Sequence, residues 1–253
     1  MRRFILAFKE ALGGRMPLSE GEALLTLDLN FPRVRAKLYR HEFKRIPLKT
    51  MAFLLSEKRR VLSTREGFRE VELVAENSCP PPWWDFVHSH PEEFFKGVYE
   101  SLGISPSSAS FLFTGADVER GVFRNEREVL VFATADPMNA RCVGRDMPLK
   151  RGKFSGTINI FLFTQAELSQ AAMAHLLITI TEAKVEALKE LDIRSVYNRE
   201  LQATGTGTDE VMVVSGRGKR VGRLKGHAEL SVLAGKAVLE AVMEAIEKQG
   251  KEE

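Results

Sequence analysis

Two strongly apolar runs with a long amphipathic stretch between them dominate the C-terminal half of this 253-residue chain. Thr157 to Phe163 (TINIFLF) and Glu210 to Ser215 (EVMVVS) are too uniformly apolar for half-exposed strands and read as buried ones. Between them Thr164 and Glu167 fall at T-x-x-E spacing, which predicts a capped helix over Gln165 to Leu191. A last helix is expected over Ala228 to Lys248, after a glycine-rich basic loop. Strand, helix, strand, helix is the order of an α/β fold, here a mixed β-sheet core with flanking helices. No repeat, low-complexity segment or clear linker divides the chain, so a single α/β domain over residues 1–253 is the simplest organisation.

The N-terminal third is strand-rich. Ala23 to Asn30 (ALLTLDLN) alternates apolar and polar residues, Pro32 interrupts it, and Val34 to Tyr39 resumes the period of two, as in a hairpin or meander. Thr50 to Leu55 and Glu70 to Ala75 read as further short strands, with Gly67 between them. Pro80, Pro81 and Pro82 argue against helix and central strand, so Ser78 to Trp84 is expected as a loop carrying two large aromatics. Pro91 to Leu102 has a proline suited to a first helical turn and Gly103 to stop it. Ser110 to Thr114 and Glu128 to Ala133 read as buried strands. Ala135 to Ser155 has no period and is expected as a long loop, where function tends to sit.

Composition narrows the function classes. The chain holds 37 Lys and Arg against 34 Asp and Glu, a net charge of +3, with 44% hydrophobic residues. That excludes disorder and allows a sizeable core. No stretch approaches the roughly 18 to 20 apolar residues of a membrane span. Met1 to Phe8 begins like a signal peptide, but Lys9 and Glu10 interrupt the apolar run and no small-residue cleavage site follows. Cys79 and Cys142 lie far apart and read as two reduced thiols, so a cytoplasmic location is expected.

Thr204 to Asp209 (TGTGTD) is the most chemically suggestive segment. Alternate glycines let the backbone turn tightly and aim several N–H groups at one point, while three hydroxyls and a carboxylate supply donors and a base or anchor. The same letters also suit an ordinary glycine turn leading into a strand. His227, at the start of the final helix, faces the positive end of the helix dipole, which favours the neutral, proton-accepting form; the plainer role is a backbone-bonded residue of the helix start. Glu182 stands in the mostly apolar LLITITEAKVEAL and, if buried, needs a partner; Lys184 is too near in sequence to share its face. His88 and His90 have no further ligands at zinc spacing, so no metal site is expected. Trp83 and Trp84 suit either a flat-ligand lid or an anchor for the proline loop. The Gly216 to Gly226 loop is the best argument for nucleic acid or phosphate, but it lacks interleaved aromatics and reads more simply as a solvated loop. Ala135 to Ser155, Thr204 to Asp209 and the helix start at His227 are expected to converge on one cleft.

GTINIFLF, ITITEAKVEAL, ATGTGTDEVMVV and GHAEL, in that order, resemble the adenosylcobinamide amidohydrolase family, and ATADPMNARCVGRD at Ala133 to Asp146 is similar to a family segment as well. Fainter similarity reaches Val61 to Phe68 and Phe113 to Asp117. Asp136-Pro137 and Arg65-Glu66 depart from the family pattern, which bears on substrate preference. The resemblance implies hydrolysis of the amide joining the aminopropanol arm to adenosylcobinamide, releasing adenosylcobyric acid. It implies a small-molecule corrinoid substrate, no nucleic-acid partner, no cofactor and no protein-bound metal, the cobalt belonging to the substrate. On this reading the Thr204 to Asp209 turn, with Gly205 and Gly207, offers oxyanion donors; Asp209 or Glu182 orients or activates water; His227 moves the proton; and Thr206 or Thr208 is a candidate nucleophile. Single replacement of Asp209 or His227 by Asn is then expected to lower turnover at least about a hundredfold. Asn139, Asp146, Asn159, Trp83, Trp84 and Thr204 complete the expected substrate-binding set. A non-catalytic corrinoid carrier or sensor, or a nucleotide-phosphate binder built on the glycine turn and basic loop, is the alternative.

Overall fold

A computed structural model describes residues 23–146 and 156–250. The signal-like start at Met1 to Glu10 and the last part of the expected 135–155 loop lie outside the described residues.

The alternating N-terminal segment forms the antiparallel pair β1 (Ala23–Leu27) and β2 (Val34–Phe43). The segments read as separate short strands are instead one long hairpin, β3 (Ile46–Ser63) and β4 (Gly67–Ser78). The interior of β3 carries Ser56, Glu57, Lys58, Arg59 and Arg60, a polar run that obscures the strand in sequence; there the register slips between Leu54 and Arg59. That slip lets β3 pair with β2 on its first half and with a C-terminal strand on its second.

The remaining strands complete a mixed sheet of nine strands among the described residues. They are β5 (Ala109–Thr114), β6 (Val122–Glu126), β7 (Val129–Ala135), β9 (Ile158–Thr164) and β12 (Glu210–Val214). β12 lies between β3 and β9, parallel to β9 and antiparallel to β3; β7 and β6 follow antiparallel, and β5 runs parallel to β4. Short pairs flank them: β8 (Ala140–Arg141) with β11 (Gly205–Thr206), and β10 (Glu167–Leu168) with β13 (Arg220–Val221). Four α-helices complete the described structure: α1 (Trp84–Ser89), α2 (Pro91–Ser101), α3 (Gln170–Glu190) and α4 (Glu229–Gln249).

The sheet curls, and its inner face packs phenylalanine on phenylalanine. Phe53 is fully buried with its ring centroid 5.0 Å from Phe163, 5.3 Å from Phe132 and 5.4 Å from Phe161. On the outside of β6, β7, β9 and β12, α3 presents Ala172, Leu176 and Ile180 and α4 presents Ala234, Val238 and Val242. Each set repeats every fourth residue, which places it on one helical stripe. The outer face of β3, β4 and β5 is covered by Trp83, Phe94 and Val98 around α1 and α2.

The helix start and the proline segment differ from expectation, and one further strand is present. The T-x-x-E box does not form, because Thr164 is paired with Val129 in the sheet and Glu167 with Arg220 in β10. The cap is Ser169, whose hydroxyl accepts the Ala172 N–H at 3.1 Å, so the helix starts at Gln170. Pro81 to Trp83 form one 3₁₀ turn leading into α1, since proline is tolerated where a first turn needs no donor. β6 was not anticipated: VFRNE reads as polar, but Arg124 pairs with Glu244 and Glu126 with Lys236 of α4, which carry its charges at the sheet edge. Among the described residues no helix is long and apolar enough to cross a membrane.

Candidate active site

The C-terminal ends of β4, β5 and β7 and the N-terminal ends of β9 and β12 meet at one rim of the curled sheet. A cleft of about 230 Å³ opens there, lined in part by Arg65, Trp84, Phe113, Asn139, Thr208 and Glu210.

The TGTGTD turn builds one wall, although its carboxylate faces inward. Asp209 accepts the Thr206 N–H at 3.0 Å, the Thr206 hydroxyl at 2.5 Å, the Ile158 N–H at 3.1 Å and the Lys184 ammonium at 2.5 Å. Four donors on two oxygens tie β11, β9 and α3 together and leave Asp209 little capacity for water. Gly205 is required beside it, for a Cβ would lie 2.3 Å from Asp209 Oδ2 and 2.7 Å from Lys184 Nζ. What the turn presents to the cleft is Thr208, whose hydroxyl lies 2.7 Å from that of Thr157 and 3.0 Å from the Gly156 carbonyl oxygen. Asn139 stands opposite; its Oδ1 accepts the Tyr197 hydroxyl at 2.8 Å and its Nδ2 lies against Gly207.

Glu210 follows Asp209 directly and has the opposite environment. Its side chain opens on the cleft, its Oε2 accepts the Phe113 N–H at 3.2 Å, and Arg65 Nε lies 3.9 Å from its Oε1. Burial pushes its pKa up to about 7, against the opposing pull of the Arg65 charge and the Phe113 N–H, with Glu66 adding to the rise. Arg65 is held flat, its guanidinium 4.0 Å from the Phe95 ring centroid and 4.6 Å from that of Phe113. Asn159 sets the frame from behind: it accepts the Glu210 N–H at 3.1 Å and donates to the Phe113 carbonyl at 2.9 Å.

A second carboxyl, Glu76, is fully buried beneath this rim. Thr134 donates to its Oε1 at 2.8 Å, while its Oε2 has no partner among the described residues. Burial raises its pKa to about 8; Thr134 and Asn159 oppose the rise and Glu210 adds to it. Cys79 is buried nearby and the same desolvation drives its thiol pKa well up, with the charges of Glu210 and Glu76 adding to it, so it is not an activated nucleophile.

The other residues singled out from sequence are dispersed. Trp84 lines the cleft, its indole N–H bonded to the Cys79 carbonyl at 2.8 Å, whereas Trp83 is buried among Phe43, Phe86 and Phe94. Asp146 accepts from Ser195, and Thr204 from the Val143 N–H, so both pin the loop behind the cleft. Glu182 is exposed on α3, and Lys184, on another face, is the partner of Asp209. His227 is exposed and does not join the convergence expected of it. The start of α4 pairs Glu229 with Arg127, beside the Val129 end of β7, and the cleft lies at its Ala135 end, about 20 Å along the strand. Among the described residues no group of three His, Cys, Asp or Glu side chains is placed to hold a metal ion.

Glu210, Arg65, Thr157 and Glu76 were missed as site residues. The signal for Glu210 was present: a carboxylate opening an otherwise apolar strand directly after the glycine turn.

A cleft-lining carboxyl whose pKa burial raises to about 7, beside hydroxyl and amide donors on an α/β sheet, is the arrangement that general acid–base chemistry on a polar group requires. The chain belongs to the adenosylcobinamide amidohydrolase family, whose model matches residues 35–253. The adenosylcobinamide amidohydrolase of Methanosarcina mazei is 32% identical over 186 residues, 71% of this chain and 83% of that protein. The uncharacterized protein MJ1613 of Methanocaldococcus jannaschii is 40% identical over 224 residues, 80% of this chain and 88% of that protein. The crystal structure of the PH0078 protein from Pyrococcus horikoshii OT3 aligns only loosely, with a TM-score of 0.38 and 11% identity, covering 79% of this chain and 77% of that chain.

Proposed function

We propose that this chain hydrolyses the amide joining the aminopropanol arm to adenosylcobinamide, giving adenosylcobyric acid and free aminopropanol for cobalamin salvage. Family membership supplies the reaction class, and the observation that carries the mechanism is Glu210, a cleft carboxyl with a pKa of about 7. Ionised Glu210 takes a proton from water as the water oxygen bonds to the amide carbon. The resulting alkoxide is met by the Asn139 amide N–H, whose Oδ1 is already occupied by Tyr197, and by one proton of the hydrogen-bonded Thr157–Thr208 pair, freed when Thr208 turns from the Gly156 carbonyl. Protonated Glu210 then donates to the leaving nitrogen and the C–N bond breaks, so one water is added across the amide. Asp209, Thr206, Gly205 and Gly207 hold the turn, while Thr208 acts as a donor.

A cleft of about 230 Å³ admits the amide arm but not the corrin ring, which would lie across the mouth against Trp84, His88 and Phe95. The only metal the reaction needs to hold is the substrate's own cobalt. Trp84→Ala should therefore weaken corrinoid binding by about five- to tenfold in a fluorescence titration; unchanged affinity would remove Trp84 from the site.

The direct test is incubation with adenosylcobinamide, without added metal or ATP, and mass spectrometry for the two products. Their formation supports the assignment. Corrinoid binding without products points to a carrier, and neither binding nor products rejects the reading.

A further inference from the structure

Three guanidinium groups meet at the opposite rim of the sheet, where β9 and β12 end. Arg59 comes from the register slip in β3, Arg33 from the β1–β2 connection and Arg217 from the basic loop after β12. Together with Pro32, Gln165 and Gly218 they line a cavity of about 190 Å³. The loop is packed tightly into this position: a Cβ on Gly216 would lie 2.0 Å from the Gln165 carbonyl oxygen.

Among the described residues the charges around this cavity are not balanced. Arg59 is only 3% exposed, and its Nε has no acceptor among the described residues. Among the described residues Glu57 is the one carboxylate that pairs with the cluster, bonded to Arg33 Nη1 at 2.9 Å and 3.9 Å from Arg217 Nε. Among the described residues three cations and one anion leave a local charge of 3 − 1 = +2. Burial works against the charge on Arg59; Glu57 favours it, and Arg33 and Arg217 oppose it. The neighbouring Arg60 is already paired with Glu167 at 2.5 Å. A buried guanidinium without an acceptor, flanked by two more, is a costly arrangement that an anion in the cavity would complete.

We propose that this cavity binds a phosphoryl anion, either free phosphate or pyrophosphate or the phosphate end of a phosphorylated small molecule. A phosphoryl dianion matches the +2 surplus, and its oxygens match the planar donor fork of arginine bidentately. The basic loop thereby acquires a role in a concave site, whose wall Arg217 and Gly218 help to line. The site is separated from Glu210 by the length of β12, so its ligand does not compete with the amide substrate.

The test is calorimetric titration of the full chain at low ionic strength with sodium pyrophosphate and, separately, with ADP. Saturable one-to-one binding is expected. Arg33→Gln and Arg217→Gln should each weaken it about tenfold, the loss of one charge-assisted contact, and Arg59→Gln by more. Should the buried Arg59 variant fail to fold, the two exposed variants decide the matter. Equal affinity for the two probes identifies the phosphoryl group alone as the ligand, and tighter ADP binding identifies a nucleotide phosphate; either supports the site. Absence of saturable binding to both probes, or binding unchanged in the Arg33 and Arg217 variants, overturns it. Amide hydrolysis in these two variants should stay at the wild-type rate, so this result stands apart from the assignment of the Glu210 cleft.

Discussion

Asp209 and Glu210 are adjacent carboxylates with different work, and the difference lies wholly in their partners. Asp209 is saturated by two backbone N–H groups, a hydroxyl and a buried ammonium; Glu210 has one N–H bond, a guanidinium at 3.9 Å and a cleft in front of it. Asp209→Asn should act chiefly on stability, costing about 3 to 5 kcal/mol because Lys184 is left buried without its counter-charge. Urea unfolding would measure this, and a loss under about 1 kcal/mol would show that the pair is not the clamp described. Glu210→Gln should lower turnover at least about a hundredfold while corrinoid binding persists, and His227→Asn, at the far rim, should leave turnover near wild type. Sequence alone ranked these residues the other way. A carboxylate's role depends on who donates to it, and Lys184, Ile158 and Phe113 come from segments whose meeting no local pattern records.

At the scale of elements, much was legible. The apolar runs that become β9 and β12 and the periodic stretches that become α3 and α4 show in sequence because each is buried along its length or along one stripe. The start of α3 was misplaced because Thr164 and Ser169 both precede helix-forming residues. What decides is the sheet ladder that fixes Thr164 in an extended conformation. Ser169→Ala should therefore cost about 1 kcal/mol, a fall in Tm of roughly 2 to 4 °C for a chain of this size. No change in calorimetric Tm would mean that Ser169 is not the effective cap. The candidate site was legible only in part. Its turn and Asn139 were marked by glycines and polar residues in irregular segments, but Arg65 and Glu76 arrive from the N-terminal third through the long β3–β4 hairpin. That hairpin was hidden by its own charged interior, so the convergence it creates was hidden too.

For the whole molecule, buried titratable groups link stability to pH. Glu76 has a folded pKa of about 8 against an ordinary value of 4.5, so the folded form holds a proton that the unfolded chain releases. The stability this contributes is full below about 4.5 and is lost as pH rises toward 8, at no more than about 1.4 kcal/mol per pH unit. His41 works on the acid side: burial lowers its pKa from 6.5 to about 4, so its contribution is present above 6.5 and is lost as pH falls toward 4. Glu76→Gln removes the first dependence, and its stability relative to wild type should rise between pH 5 and pH 8 in urea unfolding. A constant difference across that window would show that Glu76 does not carry a raised pKa. In the proposed reaction Glu210 is the group that moves the proton in amide hydrolysis. The most direct measurement is the pH dependence of kcat/KM for adenosylcobinamide in wild type and in Glu210→Gln. Wild type should show a limb rising to a plateau with a midpoint near 7, and the variant should lose that limb and run at least about a hundredfold slower. A variant that retains both the limb and the rate would contradict it.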